Sequence, residues 1–96
     1  MPTILTPRER MALKGRAHAL EPVVQIGHDG LTDAVLAEID RALTAHELIK
    51  VRAGGHERGD RAALLDAICA ATGAAKVQQV GKVMVLWRPR PPEIDA

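Results

Sequence analysis

The chain has 96 residues, 47% hydrophobic and 26% charged, with a formal net charge of +1. That length favours one domain with an ordinary packed core, and no apolar run or leader pattern suggests a membrane span or export, so a cytoplasmic protein is expected. One Trp with no Phe or Tyr disfavours modules that stack successive bases on a row of rings, and a single cysteine excludes an internal disulfide.

In chain order, "TPRERMALKGRAHAL" opens as a helix. Thr6 is placed to cap it, Pro7 suits the first helical position, and Glu9 stands three residues after Thr6 to close a capping box. Leu13, Ala17 and Leu20 fall on one face. Gly15 weakens the middle, and Pro22 ends the element. "VVQI" reads as a short strand. "LTDAVLAEIDRALTAHE" reads as an amphipathic helix capped by Thr32, with Leu31, Val35, Leu36, Ile39 and Leu43 on its apolar stripe and Asp33 near its positive end.

"LIKVR" reads as a second strand, with Lys50 and Arg52 on one face and Ile49 and Val51 on the other. "AGGHERGD" is a loop by composition, and Asp60 is placed to cap a third helix, "RAALLDAICAAT", that Gly73 ends. Cys69 has helical spacing with Leu65 and Ile68 and reads as a buried small hydrophobe. "AKVQQVGKVMVLWRP" reads as a hairpin turning at Gly81-Lys82. The order α-β-α-β-α-β-β predicts a two-layer α/β sandwich with a mixed four-stranded sheet. One domain is expected over residues 1–90, with a disordered tail at 91–96.

Charge is segregated. Residues 31–47 hold Asp33, Glu38, Asp40 and Glu47 against Arg41 alone, whereas 48–96 hold eight Lys or Arg against five acids. Basic residues pair up as Lys14 with Arg16, Lys50 with Arg52, and Arg88 with Arg90, a pattern that lets a nearly neutral chain present one positive face. The histidines, His18, His28, His46 and His56, fall in separate elements without metal-ligand spacing, and no serine is present to form a nucleophile elbow. Neither an enzyme nor a metal or other cofactor is expected.

Gly27-His28-Asp29-Gly30 joins a strand end to a helix start. Two readings stand: the glycines only permit a tight connection, or they bare the backbone so that an anion approaches amides at the helix start.

Three stretches, "LKGRAHALEPVVQIGHDGLT", "AHELIKVR" and "VQQVGKVMVLWR", together resemble the CRM (chloroplast RNA splicing and ribosome maturation) domain, in particular its stand-alone bacterial YhbY-like form. The similarity runs from about Leu5 to Arg88. It implies an RNA-binding domain similar in fold to the C-terminal domain of translation initiation factor three. It also implies association with precursor ribosomal RNA and pre-ribosomal particles of the large subunit. The family's GxxG loop maps onto Gly27, His28, Asp29 and Gly30, and its basic positions onto Lys14, Lys50, Arg52, Lys82 and Arg88. Arg16, paired with Lys14, completes the candidate RNA-binding set. Two departures are Asp29, a negative charge inside the loop, and Trp87, where relatives carry tyrosine. Affinity is expected to come from phosphate contacts made by a monomer. Two rivals are a protein-interaction module using the acidic helix 32–46 and a small DNA-binding module.

Overall fold

The computed structural model describes residues 4–54 and 57–90; the expected tail at 91–96 and His56 lie outside the described residues. Helix α1 (Pro7–Ala17) begins as its sequence dictates. The Thr6 hydroxyl accepts the Glu9 amide at 3.1 Å, and a Glu9 carboxylate oxygen accepts the Thr6 amide at 3.0 Å. The Thr6 amide first, and then the Thr6 hydroxyl beside the carboxylate, favour its ionised form and hold the Glu9 pKa below the usual carboxylate value. Strand β1 (Pro22–Gln25) follows, starting one residue earlier than expected. It is an edge strand, where a proline costs no ladder bond at its start.

Helix α2 (Asp33–His46) starts at Thr32, whose hydroxyl accepts the Val35 amide at 3.2 Å. It ends on Glu47, which adopts φ +63° with ψ −51°, a positive-φ conformation outside the left-handed helical region that residues with a β-carbon rarely take. Strand β2 (Leu48–Arg52) leads to α3 (Arg58–Thr72). Here the expected start is corrected. The helix begins at Arg58 after Glu57, so Asp60 lies inside the first turn, where a carboxylate favours the helix dipole without capping. Gly73 ends α3 at φ +75° and donates its amide to the Cys69 carbonyl at 2.9 Å. Strands β3 (Ala75–Val80) and β4 (Val83–Trp87) form the hairpin. Gly81 turns it at φ +56° while Lys82 keeps an ordinary φ, the pattern of a type II′ turn.

The sheet is mixed, in the order β1-β2-β4-β3. β1 runs parallel to β2, and β2 and β3 each pair antiparallel with β4. Helices α2 and α3 cover one face. Ile39, Leu43, Leu65 and Ile68 meet Ile26, Ile49, Val51, Met84 and Leu86 in a fully buried core. At about 1.5–3 kcal/mol for each large apolar side chain removed from water, this cluster is the main stabilising element. These layers are the sandwich that the element order predicts. Helix α1 adds a partial third layer on the opposite face, where Leu5, Leu13 and Ala17 pack on Leu48, Ala75, Val77 and Val85. Leu20, expected on the same stripe, lies past the end of α1 and is exposed. Among the described residues no helix is long and apolar enough to cross a membrane.

Candidate functional site

One end of the sheet gathers the glycine loop and two cations. The Ile26 amide donates to the Arg52 carbonyl at 2.8 Å, and the Ala53 amide to the Lys82 carbonyl at 2.8 Å. These bonds bring the start of the Gly27–Gly30 loop, the end of β2 and the hairpin turn side by side. The Arg52 and Lys82 side chains converge around Gly54. A β-carbon there would lie 3.9 Å from Arg52 Nε and 3.8 Å from Lys82 Cδ. Both side chains are exposed.

The two loop glycines differ. Gly30 has φ +72° and donates its amide to the Gly27 carbonyl at 3.0 Å, so the turn itself calls for glycine there. Gly27 lies outside the left-handed region, and a β-carbon on it would meet nothing within 4 Å. Neither backbone conformation nor packing demands glycine at 27. His28 and Asp29 are exposed, and among the described residues the Asp29 carboxylate does not fold back onto local amides. Just beyond, the first-turn amides of Asp33 and Ala34 have no acceptor within α2, and the helix dipole is positive at that point.

Lys14 and Lys50 form a second group, on the α1 side of the sheet. They rim a groove of about 260 Å³ between α1 and the β3–β4 hairpin. Arg16 turns the other way, into a separate cleft beside Glu21, Val23 and His46. Residues i and i+2 on a helix do not share a face.

Arg88 sits at the opposite end of the sheet from the glycine loop and is committed to the fold. One terminal guanidinium nitrogen donates to Asp40 Oδ1 at 2.6 Å and to the Thr72 carbonyl at 2.9 Å. The other donates to the Asp40 carbonyl at 3.0 Å and to Thr44 Oγ1 at 2.9 Å. Its side chain is 19% exposed. Arg90 lies alongside. Its amide donates to a Glu47 carboxylate oxygen at 3.0 Å, and its guanidinium to the Thr44 and Ala45 carbonyls. Of the candidate residues, the structure therefore groups Gly27–Gly30 with Arg52 and Lys82, places Lys14 and Lys50 in the neighbouring groove, and sets Arg16 and Arg88 apart.

Two residues outside the set expected from the sequence also line this groove, His18 and Gln78. His18 stands four residues after Lys14 and so shares its helix face, a signal that was available. Gln78 needed the register, because a bulge between Lys76 and Gln78 decides which face it joins. Trp87 is partly buried and packs against the α1 cluster. Cys69 belongs to the main core, where burial first and then the charge of Asp66 push its thiol pKa up, keeping it protonated and inert.

The sequence profile of the CRS1 / YhbY (CRM) domain matches residues 5–88. An RNA-binding protein of Haemophilus influenzae is 48% identical over 87 residues, covering 91% of this chain and 88% of that protein. A probable RNA-binding protein of Pseudomonas aeruginosa is 45% identical over 87 residues, covering 91% and 84%. The solution structure of hypothetical protein SAV1595 from Staphylococcus aureus superposes with a TM-score of 0.83 at 30% identity, covering 95% of each chain.

Proposed function

The chain belongs to the CRS1 / YhbY (CRM) domain family, and on that premise we propose that it is a non-enzymatic RNA-binding protein that grips the phosphate backbone with its GxxG loop and the basic end of its sheet. The relatives named as RNA-binding proteins support the ligand class. The observation that carries the mode is Gly27, a glycine with no conformational or packing need for one, placed in the same end of the sheet as Arg52 and Lys82. A main chain with no side chain over it, beside two exposed cations, suits a close, sequence-independent approach of phosphate. The amides at the start of α2 add a favourable dipole to the same loop.

The finer reading names the RNA. Resemblance to the stand-alone bacterial form of the family supports precursor ribosomal RNA of the large subunit, bound in the cytoplasm during assembly. The test is sedimentation of cell extracts. The protein is expected to travel with large-subunit precursors and to be released by RNase. Retention on a protein complex after RNase digestion would instead favour a protein-interaction module.

A further inference from the structure

Lys14 and His18 of α1, Lys50 of β2, Gln78 and Val80 of β3, and Val83 of β4 converge on the groove beside α1. Its chemistry is unlike that of the glycine loop. The floor is aliphatic, and Val80 remains 55% exposed on it. The rim carries two ammonium groups and an imidazole, and no carboxylate lines it. Gln78 is half-buried, and among the described residues its carboxamide has no hydrogen-bond partner. A purely phosphate-binding surface has no use for a valine floor with an amide set into it. A groove of about 260 Å³ is also smaller than the sites that enclose drug-sized ligands.

We propose that this groove holds one unpaired nucleobase of the bound RNA: the base lies on Val80 and Val83, Gln78 bonds its edge, and Lys14 and Lys50 meet the flanking phosphates. The proposal rests on the RNA-binding reading and deepens it. Single-stranded segments display faces and edges that a duplex hides, and a carboxamide pairs a donor with an acceptor, the match for the edge of adenine. Charge complementarity selects the occupant, since an apolar floor inside a cationic rim fits a base between phosphates. An apolar peptide would bring no anion to the two ammonium groups, of which that of Lys50 already donates to the Leu20 carbonyl at 2.9 Å.

The test compares affinities of the full chain, at one fixed salt concentration, for an unpaired oligoadenylate and for an RNA duplex of the same strand length. Charge density alone favours the duplex. The groove favours the single strand, so wild type is expected to bind oligoadenylate more tightly. Gln78→Ala and Val80→Ala are both surface changes, and thermal melts check their folding. Each is expected to weaken oligoadenylate binding by roughly tenfold and leave duplex binding unchanged. If wild type binds RNA but both variants hold oligoadenylate as tightly as it does, the base site is overturned and phosphate binding stands. If wild type binds neither RNA, the RNA-binding reading falls and the base site falls with it.

Discussion

The Lys50 ammonium donates to the Leu20 carbonyl at 2.9 Å, tying β2 to the turn that follows α1. The sequence places Lys50 and Arg52 on one strand face as equivalent cations, and the structure separates their roles. Arg52 is exposed beside the glycine loop, while Lys50 is half-buried and fixes the edge of the groove. Lys50→Met is expected to cost about 1 kcal/mol, the usual net worth of such a bond. That lowers the melting temperature of a domain this size by about 4–8 °C. Arg52→Ala is expected to leave the melting temperature near wild type and to reduce the slope of log affinity against log salt by about 1. Equal melting curves for the two variants would show that the Lys50 bond carries no stability.

Arg88 illustrates a residue whose role the sequence could not give. Its guanidinium joins α2 at Asp40 and Thr44 to the end of α3 at Thr72. Arg88→Ala leaves those acceptors behind and is expected to cost about 2–3 kcal/mol. Arg88→Lys should recover only part of that, because one ammonium cannot span acceptors that a planar fork reaches together. Urea denaturation reads both, as a lower midpoint with an unchanged slope. RNA affinity of the folded Arg88→Ala protein should stay at the wild-type level. A large loss of affinity would return Arg88 to the interface. The same contacts bear on the acidic helix as a docking face, since Asp40 is held by Arg88 and Glu47 by Arg90.

Local features were legible because their causes are local. The capping box at Thr6 and Glu9, the Thr32 cap, the Gly73 stop and the Gly81 turn each depend on a few neighbouring residues, and each forms as the sequence implies. The start of α3 is ambiguous in the sequence because Asp60 is equally at home as a cap and as a first-turn carboxylate. The second face of the sheet was hidden for a different reason. Helix α1 buries only Leu13 and Ala17, too short a stripe to reveal that it crosses to the side opposite α2 and α3. The groove needed both that crossing and the strand register.

Asp29 is the one acidic side chain in the glycine loop, exposed and without a local bond among the described residues. If phosphate approaches this loop, Asp29 opposes it. Asp29→Lys changes charge without touching either glycine. It is expected to melt near the wild-type temperature and to bind RNA more tightly. The gain should be largest at low salt, where screening is weakest. Unchanged affinity at low salt would place the phosphate path away from the loop.

The two glycines separate turn geometry from ligand approach. At Gly30, φ +72° means that any β-carbon strains the backbone, although nothing lies within 4 Å of it. Gly30→Ala is therefore expected to cost about 1–2 kcal/mol of stability. At Gly27 the backbone accepts a side chain and the space around it is open. Gly27→Ala is expected to keep or raise stability, by up to about 1 kcal/mol, because alanine restricts the unfolded chain. Binding should move the opposite way. A methyl group at 27 stands where the main chain would meet phosphate, so Gly27→Ala should weaken RNA affinity in a protein as stable as wild type. A bulkier Gly27→Val should weaken it further. Full affinity in both variants would mean that the loop is a plain connection, and that RNA is held by Arg52, Lys82 and the groove without it.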